Sequence, residues 1–570
     1  MAWKHIQHIR TRLDKEVGTV YKDWGGRLRI ALAFPNTYYT GMSSLALHTV
    51  YRLFNQHPHV VCERTFWEPD LHGNKRPLLT YESQRPVADT DVFAFTISFE
   101  MDYFHVVDML RQTRIPLWAE ERGSSPEAWP LLLAGGPAIS MNPEPLAPFF
   151  DAMVIGEGEE IIPHLIALLE EHRDHRDRLL DALARLPGVY VPLLHGEGTR
   201  VSRLWVRDVG HMNPQTVIYT PDTEFGAMHL MEIGRGCGRG CRYCMAGYVY
   251  RPPREQPLER VLAWAKEALQ HTRRIGLVSA AVSDYSRIDE LAIRLREMGA
   301  RISVSSMRTD PISEPLVRAL AESGTRTLTI APEAGSERLR RVISKTQQEE
   351  DLLAAVDLAE RYRFPQLKLY FMVGHPTETD EDIDALIRFV LEVRQRFRRT
   401  LIINATPFVP KPHTPFQWVA MTDASEIQRR QRKIQKALSR HRVIVRADSP
   451  QWAQVQGVLA RGDRALARVL ARLQRRTWRQ FFRTMEEEGL DPQVYLGEWP
   501  QDITLPWNVV DSGIKARYLI REWRLSLRGQ PGKECPPQAR GCLRCGVCDW
   551  AWAFREEKEH PCSNDTRSTA

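Results

Sequence analysis

Just past an apolar strand candidate at 228–233, the chain reads GCGRGCRYCM over residues 236–245, placing Cys237, Cys241 and Cys244 in C-x3-C-x2-C spacing. Three thiolates are one fewer than a four-iron cubane needs, so a cluster held here keeps one iron open to an outside ligand. The strand in front of the motif is the first of a series. Candidates at 275–279, 302–305, 326–330, 366–371 and 401–404 follow, each separated by a helix-length segment. Six β/α units in succession predict a partial (β/α)6 barrel of TIM type over residues 215–420, with functional groups at the carboxyl ends of its strands.

A second α/β pattern precedes it. Residues 1–195 alternate strand candidates at 29–34, 60–66, 92–97, 131–134 and 152–155 with helical segments, the pattern of a Rossmann-like, doubly wound domain. The loops after these strands carry Asn36, Thr37 and Gly41, then Ser98, then Gly135 and Gly136, then Gly156 and Glu157. They sit where such sheets bind ligands, and glycine there lets backbone approach a flat ligand or a phosphate. The plainer reading of each glycine is a turn.

Residues 421–530 read as mainly helical. Ile427, Ile434 and Leu438 share one face, while Arg429, Arg430, Arg432, Lys433, Lys436 and Arg440 make the rest basic, and Arg472, Arg475, Arg476 and Arg479 repeat the theme around Trp478. Such a surface suits RNA phosphates. The preferred reading is a solvated face, because three glutamates at 486–488 and a net charge of only +7 dilute the field.

Of nine cysteines, three lie at 237–244, five at 535 and beyond, and Cys62 stands alone. Clustering of this kind in a reducing compartment favours metal over disulfides. In the tail, 531–570, Cys535, Cys542, Cys545 and Cys548 supply four thiolates, enough for tetrahedral zinc or a second iron–sulfur cluster. The close C-x2-C-x2-C run favours the cluster. Cys562 reads as a spare or a replacement ligand and 563–570 as a disordered end. A polar amino terminus and the lack of any membrane-spanning apolar run give the expectation of a cytoplasmic protein.

The cysteine triad, with aromatic Tyr243 before its last member and the β/α series behind it, resembles the radical S-adenosylmethionine (SAM) superfamily. The resemblance implies that Cys237, Cys241 and Cys244 hold a 4Fe-4S cluster whose open iron is chelated by SAM, and that an electron from the cluster cleaves SAM to a deoxyadenosyl radical. It implies SAM contacts at Tyr243, at Ser283 and Asp284 (where the superfamily's usual Gly-Gly-Glu is absent), at Ser306 and Arg308, at Glu333, and at Gly374 along the adenine. Thr379 and Asp382 form a capping pair for the next helix. An electron donor such as flavodoxin or ferredoxin is implied as a partner.

The preceding α/β domain makes the chain similar to cobalamin-binding-domain radical SAM proteins. PNTYYTGMS at 35–43, GGP at 135–137, FVPKPHTPF at 408–416, RGDR at 461–464, PWNVVD at 506–511 and the tail cysteines resemble one uncharacterised subfamily of that group. Cobalamin is thereby implied at Asn36, Thr37, Gly41, Ser98, Gly135, Gly136, Gly156 and Glu157. The Asp-x-His-x-x-Gly run that carries a cobalt-binding histidine is absent from 1–195; His48 and His105 remain as candidates only by geometry. The simplest implied reaction is methylation of an unactivated carbon, on a small molecule or RNA. The alternatives are radical cyclisation, rearrangement or RNA modification without cobalamin, and a non-enzymatic corrinoid or redox sensor. Methylthiolation is disfavoured by Cys62 being the single cysteine of 1–195.

Overall fold

The computed structural model describes residues 2–69, 77–123, 129–536 and 542–549. Cys562 and the 563–570 end lie outside the described residues. The front domain is built on strands β1 (Leu28–Phe34), β2 (Val60–Phe66), β3 (Val92–Thr96), β4 (Leu131–Gly135), β5 (Ala152–Val154) and β6 (Val189–Tyr190), ordered β2-β1-β3-β4-β5-β6. All neighbours are parallel except the β5–β6 pair. Sheets of this kind are buried on both faces, which is why their strands read as apolar runs. Leu32, Ala94, Leu133 and Val154 pack on one face against helices Leu45–Asn55 and Gly158–Glu171. Phe93, Phe95, Leu132 and Met153 pack on the other, against helix Tyr103–Thr113. Chain order reverses between β1 and β3, the switch point at which such sheets take ligands.

The barrel strands are β7 (His229–Glu232), β8 (Arg274–Val278), β9 (Arg301–Ser303), β10 (Thr327–Glu333), β11 (Gln366–Val373), β12 (Thr400–Pro407) and β13 (Val443–Ala447). They run parallel in two groups, β7-β8-β9 and β10-β11-β12-β13, linked by a single bridge between Met307 and Ile330. Along β11 every second residue is buried, Leu367, Leu369, Phe371 and Val373, as a strand with one face on the core requires. The structure adds a seventh strand to the six expected: β13 pairs with β12 beyond residue 420, inside the stretch read as mainly helical.

The remaining helices do not form a separate core. Val455, Leu459, Leu470, Phe481, Trp507 and Tyr518 share one hydrophobic cluster with the front sheet's Phe93, Phe95, Leu132 and Met153. The basic helix Ala424–Ser439 spends its charges locally: Arg429 pairs with Asp380 and Glu426, Arg430 with Glu378, and Lys433 with Asp384. Among the described residues no helix is long and apolar enough to cross a membrane.

Candidate active site

The cysteine loop follows β7 through a two-residue strand, Gly234–Arg235, paired antiparallel with Arg254–Glu255. Gly236 turns it with φ 79, and a Cβ there would lie 2.0 Å from the Tyr250 carbonyl oxygen, so only glycine fits. The Arg239 amide donates to Cys237 Sγ at 3.4 Å, the Cys244 amide to the Cys241 carbonyl at 3.0 Å, and the Tyr248 hydroxyl to the Gly240 carbonyl at 3.0 Å. Cys241 is buried and the other two half-buried, with no disulfide among them.

Burial pushes the Cys237 thiol up to about 12 and raises that of Cys244. Bare thiols in this setting stay protonated at neutral pH, and a bound cation is what makes thiolates of them. Among the described residues no three His, Cys, Asp or Glu side chains converge tightly enough for a single ion. A cubane takes its thiolates at separate corners and spreads them wider than one ion does. The triad, with its N–H···S bond, has the donors such a cluster needs.

Around this loop the charged groups are paired. Asp284 is bidentate to Arg239 at 2.8 Å through both oxygens, Arg239 also reaches Glu534 at 2.5 Å, and Ser283 Oγ accepts from the Arg308 amide at 3.0 Å. Arg308 stands 3.8 Å from Cys241 Sγ and pairs with Asp310 at 2.7 Å. Arg242 is fully buried on the carbonyls of Val342 and Gln530 and on Glu522. Asp284 therefore braces the cysteine loop through Arg239, a task the sequence reading did not give it, while Ser283 holds the backbone of Arg308. Ser306, one step before the bridging Met307, is half-buried.

Glu333 ends β10 where the register shifts, at φ 65, with Lys345 Nζ 3.4 Å from its carboxylate. Such a backbone costs about 1–3 kcal/mol in a non-glycine residue and collects at functional sites. Tyr243 is half-buried within electrostatic reach of Glu333, Cys241 and Cys244, and its ring lies 6.2 Å from that of His375. Gly374, at φ 94, donates its amide to Glu378 Oε2 at 2.7 Å. Thr379 and Asp382 form the expected capping box, and Asp382 also binds Ser336 and Arg338, tying the loop after β10 to the loop after β11. His375 was missed. It is buried, both ring nitrogens lack a hydrogen-bond partner, and burial lowers its pKa to about 4.

On its other side the loop borders a cavity of about 490 Å³ between the two domains. Leu32, Ala94, Leu133 and Val154 from the front sheet and Leu53, Ile162 and Leu165 from its helices wall one end; Gly236, Met245 and Tyr250 reach the other. Gly135, Gly136, Gly156 and Glu157 line it, as expected of strand-end loops. The reason for glycine is different from ligand approach: a Cβ on Gly136 would lie 2.6 Å from Ile97 O and one on Gly156 2.1 Å from Leu204 O. Glu157 is held by Arg254 at 2.8 Å and Arg235 at 3.2 Å, a buried clamp between domains that keeps its carboxyl down at about 2 in spite of burial.

Asn36, Thr37, Gly41 and Ser98 do not line the cavity. Asn36 bonds Asp102 at 2.8 Å, Thr37 caps the short helix Tyr38–Gly41, Gly41 packs under the Phe66 ring, and Ser98 is exposed. Neither candidate histidine lines it either. His48 is buried between the Met42 carbonyl and the amides of Val217 and Ile218, and His105 bonds the Pro35 carbonyl at 2.7 Å while stacking on Trp67.

Two family models match the chain: one described as radical SAM proteins, N-terminal, over residues 46–192, and one described as the radical SAM superfamily over 231–390. The uncharacterized protein MJ0966 of Methanocaldococcus jannaschii is 34% identical over 448 residues, 77% of this chain and 90% of that one. The chain belongs to the radical SAM superfamily. It is thus a radical SAM enzyme, with a 4Fe-4S cluster and SAM as its cofactors.

Among other relatives, the uncharacterized methyltransferase PH0819 of Pyrococcus horikoshii is 24% identical across 49% of this chain and 61% of its own length. A ribosomal protein uS12 methylthiotransferase RimO of Thermotoga maritima is 25% identical across 30% of this chain and 43% of its own. A solved structure of the methyltransferase TsrM from Kitasatospora setae aligns with TM-score 0.49 and 16% identity, covering 69% of this chain and 74% of that one.

Proposed function

We propose that this radical SAM enzyme also carries a corrinoid, cobalamin in the simplest case, in the interdomain cavity, and that it methylates an unactivated carbon. The apolar, sheet-to-helix cavity that ends at the cysteine loop carries the reading. Its residues fit the group. The slot between Leu133, Val154, Ile162 and Leu165 suits the flat benzimidazole tail of cobalamin, with the backbone of Gly135, Gly136 and Gly156 at and just past the carboxyl ends of β4 and β5 beside it. Among the described residues no histidine lines the cavity, so the reading includes a cobalt without a protein imidazole.

When bound, the cluster with SAM supplies one-electron chemistry at carbon and the corrinoid supplies a transferable methyl group. The chain's own residues orient and seal. Arg308 sets a positive charge beside Cys241, offsetting thiolate charge. The Lys345–Glu333 pair fixes a polar anchor at the barrel's carboxyl end, and the Gly374 loop is pinned by Glu378. The Arg235–Glu157–Arg254 clamp holds the front domain on the loop and excludes water from between them. Acid–base groups cannot activate such a carbon, since it has neither an acidic proton nor a lone pair.

Methyl transfer is preferred to methylthiolation because Cys62, the single cysteine of residues 1–195, is fully buried in β2 and offers no ligand set for another cluster in the front domain. A relative bearing the name methyltransferase points the same way. The test is anaerobic incubation of corrinoid-loaded protein with methyl-labelled SAM and reductant. Label recovered in the corrinoid supports the proposal. Deoxyadenosine with no labelled corrinoid leaves radical SAM chemistry and removes the methylase reading.

A further inference from the structure

Among the cysteines outside the site described above, Cys535, Cys542, Cys545 and Cys548 lie together in the sequence, and the structure gives them a built setting. The Arg544 amide donates to Cys542 Sγ at 3.4 Å, with Arg544 at φ 51. This repeats the bond from the Arg239 amide to Cys237 Sγ, also 3.4 Å. Amide hydrogen bonds of this kind stabilise the metal-bound thiolate and tune its redox potential.

Cys545 is buried and its carbonyl accepts from the Lys515 amide at 2.8 Å. Gly546 follows at φ 111, where a Cβ would fall 2.5 Å from Gly513 O, and Val547 enters the core shared with the front domain. The turn carrying the C-x2-C-x2-C run is thus seated at the start of helix Ala516–Leu527.

At the other end, the Cys535 amide donates to the Gly238 carbonyl at 2.6 Å, one residue from Cys237. A Cβ on Gly238 would strike Cys535 O at 2.7 Å. Glu534 pairs with Arg239 at 2.5 Å, the Gln530 carbonyl accepts from Arg242 at 2.8 Å, and the Gly532 amide donates to Ser344 Oγ at 3.0 Å. Segment 530–535 lies directly on the loop of the first three cysteines.

We infer that Cys535, Cys542, Cys545 and Cys548 hold a second iron–sulfur cluster that relays single electrons to the first. The inference rests on the radical SAM reading and is independent of the corrinoid. Four protein thiolates leave no iron open, so this cluster binds no SAM and exchanges electrons alone. A low-potential donor protein of the flavodoxin or ferredoxin class is oxidised by one electron as the second cluster is reduced. That cluster returns to its oxidised form as the first is reduced, and no proton or group moves.

The test uses the full chain reconstituted without oxygen. Wild-type protein is expected to bind about eight irons, two four-iron clusters. The triple variant C237A/C241A/C244A should keep about half of them with an electron paramagnetic resonance signal of its own. The double variant C542A/C545A should keep the first cluster and its SAM cleavage with dithionite, yet lose at least tenfold of the cleavage driven by reduced flavodoxin. Four irons in the wild type, zinc in the triple variant, or flavodoxin-driven cleavage unchanged in the double variant would each overturn the inference. If the double variant does not fold, the wild-type iron and zinc content decides.

Discussion

The loop bearing Cys237, Cys241 and Cys244 has two unlike neighbours. Toward the barrel ends and the C-terminal segment it meets arginines and carboxylates that are paired at 2.5–3.1 Å, among them Arg239 with Asp284 and Glu534, and Arg242 with Glu522. Toward the front domain it meets an apolar cavity of about 490 Å³. Paired charges fix geometry, and their partners are costly to remove because a buried charge is then left alone. An apolar hollow fixes nothing by itself and is favourable to fill. The loop is therefore positioned from one side and open to a ligand on the other.

The largest effect breaks the loop itself. Cys241→Ala removes one of the three thiols proposed to hold the cluster, and deoxyadenosine formation should fall to background with loss of bound iron, measured by chromatography and iron assay. Next comes the charged clamp between domains: Arg235→Ala leaves Glu157, Glu159 and Glu232 short of a partner, and should cost about 3 kcal/mol, read as a lower denaturation midpoint.

Acid should also weaken the packing around the loop and the domain junctions. Burial lowers His48, His375 and His413 from an ordinary 6.5 to about 4. The unfolded chain takes up these protons first, so stability present above about 6.5 is lost as pH falls toward 4, by a few kcal/mol in order of magnitude. Melting temperature against pH should show that slope, and His48→Gln should flatten it.

On the apolar side, Ala94→Phe fills the cavity from β3 and should lower corrinoid retention about tenfold, or about 1.4 kcal/mol, while leaving iron content unchanged. The smallest effect is expected from Asp284→Asn, since Arg239 keeps Glu534 and Asp310. SAM cleavage should drop only a few-fold, chiefly in kcat/KM.

Much of this contrast was legible in the chain and part was not. Strand positions and the cysteine spacing stood out because parallel strands are apolar runs and cluster ligands have fixed intervals. β13 was missed because an edge strand buries little: Val443 is buried, while Ile444, Arg446 and Ala447 are exposed, so its run resembles the polar helix before it. The glycines at 136 and 156 line the cavity, but their cause is contact with Ile97 and Leu204, which no local pattern encodes. Arg235 and Arg239 were invisible as braces because their partners lie 76 and 45 residues away, at Glu159 and Asp284. Asn36, Thr37, Gly41 and Ser98 show the converse: a strand-end position alone did not bring them to the cavity.

The most direct test of an apolar side built for a corrinoid is the corrinoid content of protein purified without oxygen from cells supplied with cobalamin, read by visible absorption and mass spectrometry. Near one corrinoid per chain, reduced in Ala94→Phe, is the predicted result. Full iron content with no corrinoid would contradict it and give the cavity to the substrate instead.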